Sequence, residues 1–336
     1  MRELFRAEFG RERTPAHWKW KFLDNPCGGP FVSLAWHGET GQLVGNQVLM
    51  PFPLCVRGRR LLAGHSLDLV VHHEFRRQGI HEATGRDAEA FLREHGGEAL
   101  VAFPNAASYP GFVRSQGWKR ILEPTMWKRR LGVRAKLERT VRVPALAAAA
   151  DALFRLGAGG TLRRQLAAAR SARPDLRVEH PARLPEGVDA LWERERARVR
   201  VSVWKDREYL SWRYERHPEQ RFAYHALVRG TELAGLAVTG IRDRTALLCE
   251  LLVPERDEAA GRLLALSVCA DVAGDADEVH FLGHDDGWFG RVLEGFTSAP
   301  ATENVFVGRA IADEALTAEM ADAANWTLTY GDGDFI

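Results

Sequence analysis

The segment WKFLDNP at Trp20–Pro26 returns as WRYERHP at Trp212–Pro218, 192 residues later. Both place Trp, a basic residue and an aromatic before two variable positions, then Asn or His, then Pro. The segments behind them agree in kind, since GQLVGNQVLM (41–50) answers TELAGLAVTG (231–240) and SLDLVV (66–71) answers LCELLV (248–253). A short match with the same element order behind it reads as an internal duplication. The chain is therefore expected to fold as two related units. Its 336 residues, 46% hydrophobic and 27% charged, are enough for two cores and exclude a disordered or fibrous chain.

Between the two repeats the composition shifts. Residues 133–179 carry ten Lys/Arg against four Asp/Glu, are rich in Ala and Arg, are interrupted by GAGG at 157–160 and are closed by Pro174. This predicts a basic helical connector over 133–179, with units at 1–132 and 180–336. The near-neutral total of +1 conceals this asymmetry, because residues 250–336 carry eighteen acidic groups against four basic ones. Such a balance makes no case for nucleic-acid binding. Cys27, Cys55, Cys249 and Cys269 show no CxxC spacing, so a reducing compartment is expected. RELFRAEFGRER after Met1 has no apolar core, and no later segment offers eighteen apolar residues in a row. A cytoplasmic protein with no membrane partner is expected.

The segment richest in chemistry is LDLVVHHEFRRQGIHEATGRDAEAFLREHG at 67–96. An apolar strand runs into a basic, Gly-containing turn and then directly into a helix. Arg76, Arg77, Gln78, Gly79, Ile80 and His81 would place successive backbone N–H groups around the first helical turn, where unpaired donors and the helix dipole favour a phosphate. Gly79 allows close approach, and the arginines add charged donors. A metal is weakly suggested by His280, His284, Asp285 and Asp286, but VHFLGHDDGW reads as strand then turn, which does not hold two histidines on one helical face. GDGD at Gly331–Asp334 is too short for a calcium loop. No metal is expected. Trp18, Trp20, Trp204 and Trp212 read as core packing ahead of a substrate groove.

The turn resembles the acyl-CoA pyrophosphate loop of the GCN5-related N-acetyltransferases, Gln/Arg-x-x-Gly-x-Gly/Ala after a strand, with Arg76, Gly79 and His81 on the marked positions. His81 stands where a small residue is usual, which implies an opened turn or a ring directed away from the cofactor. VAFPNAASYPGFVRSQGW at 101–118 is similar to the family's next segment, with Asn105, Gly117 and Trp118 matching. The usual tyrosine position holds Val113, and Tyr109 is the substitute general acid. Most of the chain resembles a branch of the family with two acetyltransferase-like halves, through WKWKFLDNP (18–26), GHSLDLVVHHEFRRQGI (64–80) and WTLTYGDGD (326–334).

The resemblance implies an α/β fold of two tandem domains, each a mixed, mostly antiparallel twisted sheet flanked by helices. It implies acetyl-CoA or another acyl-CoA as cosubstrate, with backbone donors at Leu69, Val70 and Val71 facing the thioester carbonyl. Asp68, on the same strand, becomes the base, acting directly or through water. His65, His72, His73 and Glu74 flank that strand as secondary candidates. In the second half, the corresponding PERDEAAG has Arg256 and Gly261 among Glu255, Asp257 and Glu258, acids that would repel a pyrophosphate. One cofactor site is expected, in the first half. The implied reaction is acetyl transfer to a primary amine of a small molecule. The alternative is a noncatalytic binding protein on the same fold, and homodimer formation is left open.

Overall fold

A computed structural model describes residues 2–10, 13–140, 144–303 and 305–334. Residues 141–143 of the connector and Asn304 lie outside the described residues. The chain opens with α1 (Arg2–Phe9) and α2 (Pro15–Phe22). The second starts where the Thr14 side chain accepts the His17 amide and Pro15 takes a position that needs no N–H. β1 (Phe31–Trp36), β2 (Leu43–Val56) and β3 (Arg59–Val71) form an antiparallel meander. Pro51 and Pro53 fall where β2 has left β1, so their missing donors break no ladder with it. Helix α3 (Ile80–Glu94) then crosses to β4 (Ala99–Ala102), parallel to β3. β5 (Lys119–Leu122) and β6 (Thr125–Arg130) follow.

Helices α4 (Arg134–Thr140) and α5 (Pro144–Ala172) lead to β7 (Leu176–Glu179). α5 runs without a break through Gly157, Gly159 and Gly160, where an interruption was expected. Leu162, Leu166 and Ala169 bury against the same core as α8, and that packing outweighs a glycine cost of about 1 kcal/mol per residue. Next come α6 (Val188–Arg196), β8 (Val201–Val203), α7 (Arg207–Leu210), β9 (Phe222–Arg229), β10 (Glu232–Arg242) and β11 (Thr245–Leu252). The chain ends with α8 (Glu258–Asp271), β12 (Glu278–Gly283), α9 (Trp288–Val292), β13 (Thr297–Pro300), β14 (Phe306–Ala310) and α10 (Glu314–Ala321).

The strands form two mixed, mostly antiparallel twisted sheets flanked by helices, as expected. One runs β1-β2-β3-β4-β14-β5, with β8 on the far end of β2; the other runs β13-β6-β12-β11-β10-β9-β7. Each contains a strand from the opposite end of the chain. β6 lies between β12 and β13, with Thr125 opposite Gly283 and Arg130 opposite Glu278. β14 lies between β4 and β5, with Val307 opposite Ala102. The largest apolar cluster likewise draws on both halves, combining Trp20, Met50 and Val101 with Trp212, Cys249 and Phe306. Smaller clusters fill the helix-covered faces, one joining Leu92 of α3 with Trp118 and the other joining Leu264 of α8 with Phe281.

Candidate functional site

β3 and β4 pair only over Ala63–Ser66 and Ala99–Ala102, yet β3 continues to Val71. Its edge towards β4 is therefore open beyond Ser66. The same stretch carries a bulge, since Asn46 faces Val70 and Val48 faces Leu67, leaving Gln47 against Asp68 and Leu69. Asp68 adopts φ of 51°, held by a hydrogen bond from Asn46 Nδ2 to its carbonyl at 2.7 Å. A bulge here redirects the backbone of Leu69–Val71. These residues form one wall of a cleft of about 480 Å³, with Asn105, Ala107 and Ser108 opposite and Arg76, Arg77, Gly79, Ile80 and His81 at the turn.

The turn ends in Gly79, φ 78°, which precedes α3 without any side-chain cap. The first-turn amides of α3 are consequently free of a side-chain acceptor, which is the arrangement that receives an anion. Arg77 makes no ion pair among the described residues. His81 packs its ring on Phe112, 5.1 Å between centroids, in space that a side chain on Gly111 would fill. Its Nε2 is buried without a hydrogen-bond partner. Burial holds this imidazole below its usual pKa, and therefore neutral. Open amides and a free guanidinium fit an acyl-CoA pyrophosphate, while the His81 ring is turned onto Phe112.

Glu8 was not foreseen. Its carboxylate reaches the turn from α1, bonding Arg76 Nη2 at 2.5 Å and both the amide and Nδ1 of His73 at 3.1 and 3.0 Å. Burial opposes its ionised form, but the His73 bonds and the Arg76 charge outweigh this and hold Glu8 below the usual carboxylate range. Arg76 thus already has an anionic partner.

The remaining site candidates are placed as follows. Gln78, Asp68 and Tyr109 are not among the residues lining the cleft. Asn105 lines it while its Oδ1 accepts the Ala107 and Ser108 amides. Tyr109 packs beside the cluster of Phe31, Phe112 and Trp118. The Asp68 carboxylate faces Arg13 at 2.5 Å and the buried Lys21 at 3.2 Å. Asp334 completes this network, 3.2 Å from Arg13 and 2.7 Å from Lys21. Burial works against its charge, yet Lys21 and Arg13 hold it well below the usual carboxylate range. His65 is buried in β3, and His72 stacks on His73.

The second half repeats this network with different partners. Lys205 and Arg213 stand 192 positions after Arg13 and Lys21. Lys205 Nζ lies 2.7 Å from Glu250 on β11 and 2.8 Å from Asp332. A bulge again adjoins the acid, with Val238 facing Glu250 and Thr239 facing Leu248. The GDGD segment therefore supplies Asp334 to Arg13 and Lys21 and Asp332 to Lys205, while the Arg213 guanidinium donates to the Gly331 and Gly333 carbonyls.

The turn before α8 is built differently from the one before α3. Asp257 caps α8 by accepting the Ala260 amide and pairs with Arg173, while Arg256 pairs with Asp285 at 2.6 Å. The space among Lys205, Leu251, Leu252, Val253 and Arg256 is about 10 Å³, room for about one water molecule. The other metal candidates separate: His280 bonds Glu278 at 2.8 Å, and His284 bonds the Ala323 carbonyl at 2.9 Å.

Residues 1–121 match the family described as Acetyltransferase (GNAT) domain. Among solved structures, a GCN5-related N-acetyltransferase from Kribbella flavida is similar at 17% identity and a TM-score of 0.61, covering 96% of this chain and 70% of that one. A probable N-acyltransferase from Enterococcus faecalis V583 is similar at 13% and 0.60, covering 95% and 70%. A tandem GNAT protein from the clavulanic acid biosynthesis pathway gives 18% and 0.50, covering 91% and 92%. At these identities the likeness is one of fold. No protein of curated function matches the sequence.

Proposed function

We propose that this chain, which belongs to the GNAT superfamily through residues 1–121, is an acyl-CoA-dependent N-acyltransferase that moves an acetyl group to a primary amine of a small molecule. The observation that carries this reading is the contrast between two related strand–turn–helix units. One ends in an uncapped helix beside a cleft of about 480 Å³, and the other in a capped helix with about 10 Å³. In this reading the second half has lost its cofactor site and supports the first.

Acyl-CoA, when bound, supplies an activated thioester. Amides at the start of α3 and Arg77 would hold its pyrophosphate, with His81 alongside. The bulged backbone of Leu69–Val71 would present donors to the carbonyl oxygen as charge develops on it. Asp68 then serves as a positioning residue. Its carboxylate is committed to Arg13 and Lys21, its backbone shapes the bulge, and Glu250 makes the matching pair in the half without a cleft. The ammonium proton leaves through water, and proximity supplies the rate.

A noncatalytic reading is favoured by one observation, the Glu8 carboxylate already seated on Arg76. Thermal unfolding with acetyl-CoA tests binding: protection that disappears when Arg76 and Arg77 are both changed to Ala supports the cofactor site. Absence of protection overturns the acyltransferase reading and leaves the noncatalytic one. Protection without turnover across amino sugars, polyamines, aminoglycosides and peptide amines selects the second.

A further inference from the structure

On the outer part of the second sheet, β7 and β9 are antiparallel neighbours, with Glu179 opposite Ala226, and this register brings His180 beside His225. Their rings lie 5.1 Å apart at 83°. Asp271, the last residue of α8, comes over the same pair. Its Oδ1 is 3.9 Å from His180 Nδ1 and its Oδ2 is 4.0 Å from His225 Nε2. Three elements thus deliver two imidazole nitrogens and a carboxylate to one point, with the candidate ligand atoms all within 4.8 Å of one another.

These separations are too long for hydrogen bonds. Among the described residues, Asp271 has no Lys or Arg partner to explain its position. Ligands bound tetrahedrally at about 2.0–2.2 Å lie about 3.4 Å apart, so the two imidazole–carboxylate separations each close by roughly half an ångström on an ion, and the imidazole–imidazole separation by at most about 1.4 Å. His180 and Asp271 are about half exposed and can make that adjustment, while His225 is fully buried and fixed. Thr239 Oγ1 lies 3.0 Å from the same His225 Nε2, so an ion bound at this nitrogen takes the place of that contact. Two imidazoles and one carboxylate suit zinc-class ions rather than magnesium or calcium.

We propose that His180, His225 and Asp271 form a binding site for a zinc-class divalent transition metal ion, with water completing its coordination. The ion clips the four-residue edge strand β7 to β9 and to the end of α8. It is structural, and it is independent of the acyl-CoA cleft.

The test uses the full chain, purified without a histidine tag and stripped with EDTA. Titration with zinc chloride by calorimetry should give saturable binding at one ion per chain, and added zinc should raise the unfolding temperature. Cobalt should report nitrogen ligation through visible absorption. His180→Ala and Asp271→Asn, both at exposed side chains, should each weaken zinc on the order of tenfold or more while leaving circular dichroism unchanged. His280→Ala and His73→Ala should bind as the parent does. No saturable binding by the parent chain, undiminished affinity in His180→Ala, or loss of binding in His73→Ala would each overturn the assignment.

Discussion

Trp20 and Trp212 bond each other reciprocally: Trp20 Nε1 donates to the Trp212 carbonyl at 2.7 Å, and Trp212 Nε1 donates to the Trp20 carbonyl at 2.8 Å. Their rings stack at 5.2 Å and 19°, and both are buried. This is the contact expected where two copies of one motif meet across a local two-fold axis. Replacing either with Phe strands the partner's carbonyl and leaves space where the indole was. Each single change should cost about 2–4 kcal/mol in urea unfolding, with the two costs similar. The double variant should lose less than their sum, because each indole donates its own hydrogen bond but the stacking of the two rings is shared and is lost only once. Additive losses would show that the two indoles are independent core residues.

The strand exchange makes the two sheets depend on each other. Without β14 nothing joins β5 to β4, and without β6 nothing joins β13 to β12. Residues 1–132 produced alone should therefore lack a cooperative unfolding transition. Mixing them with residues 133–336 should restore one, together with near-ultraviolet circular dichroism. A fragment that unfolds cooperatively by itself would show that β14 is dispensable.

His65 gives the chain a specific acid sensitivity. Burial in β3 lowers its pKa to about 4, with Asp334 opposing and Lys21 and Arg213 reinforcing. Since the unfolded chain takes up this proton near pH 6.5, stability rises with pH between about 4 and 6.5 and is lost as pH falls through that window. The contribution of this one ring is about 3 kcal/mol by pH 4. Urea unfolding at neutral pH and near pH 4.5 should show a smaller acid loss for His65→Gln than for the parent. Equal losses in the two proteins would remove His65 as the cause.

Local pattern carried much of this fold. The Trp–basic–aromatic repeat was legible because its seven positions are contiguous, and the turn from Arg76 to His81 because strand, glycine and helix follow in order. What was not legible depends on partners far away in the chain. Nothing near Asp68 in sequence shows that its carboxylate will meet Arg13 and Lys21, or that Asp334 will join them from the other end. Nothing in the residues of β6 or β14 says which neighbour the strand will take, because alternation marks a strand and not its partner. GAGG read as a break because glycine propensity is local, whereas the packing of α5 on α8 that overrides it is tertiary.

Glu8 offers the sharpest test of how the cleft is set. Its carboxylate is ionised, lines the cleft and sits on Arg76, the first arginine of the turn. A pyrophosphate entering there would meet a like charge at close range and would compete for the same guanidinium. Glu8→Gln keeps the size and a hydrogen-bonding contact to His73 while removing the charge. Calorimetric titration with CoA should then show tighter binding, on the order of three- to tenfold, a gain of about 1 kcal/mol. The gain should shrink at high salt, where charge repulsion between partly exposed groups is screened. Weaker binding in Glu8→Gln would mean that Glu8 holds Arg76 in its binding position, and that the carboxylate organises the turn instead of obstructing it.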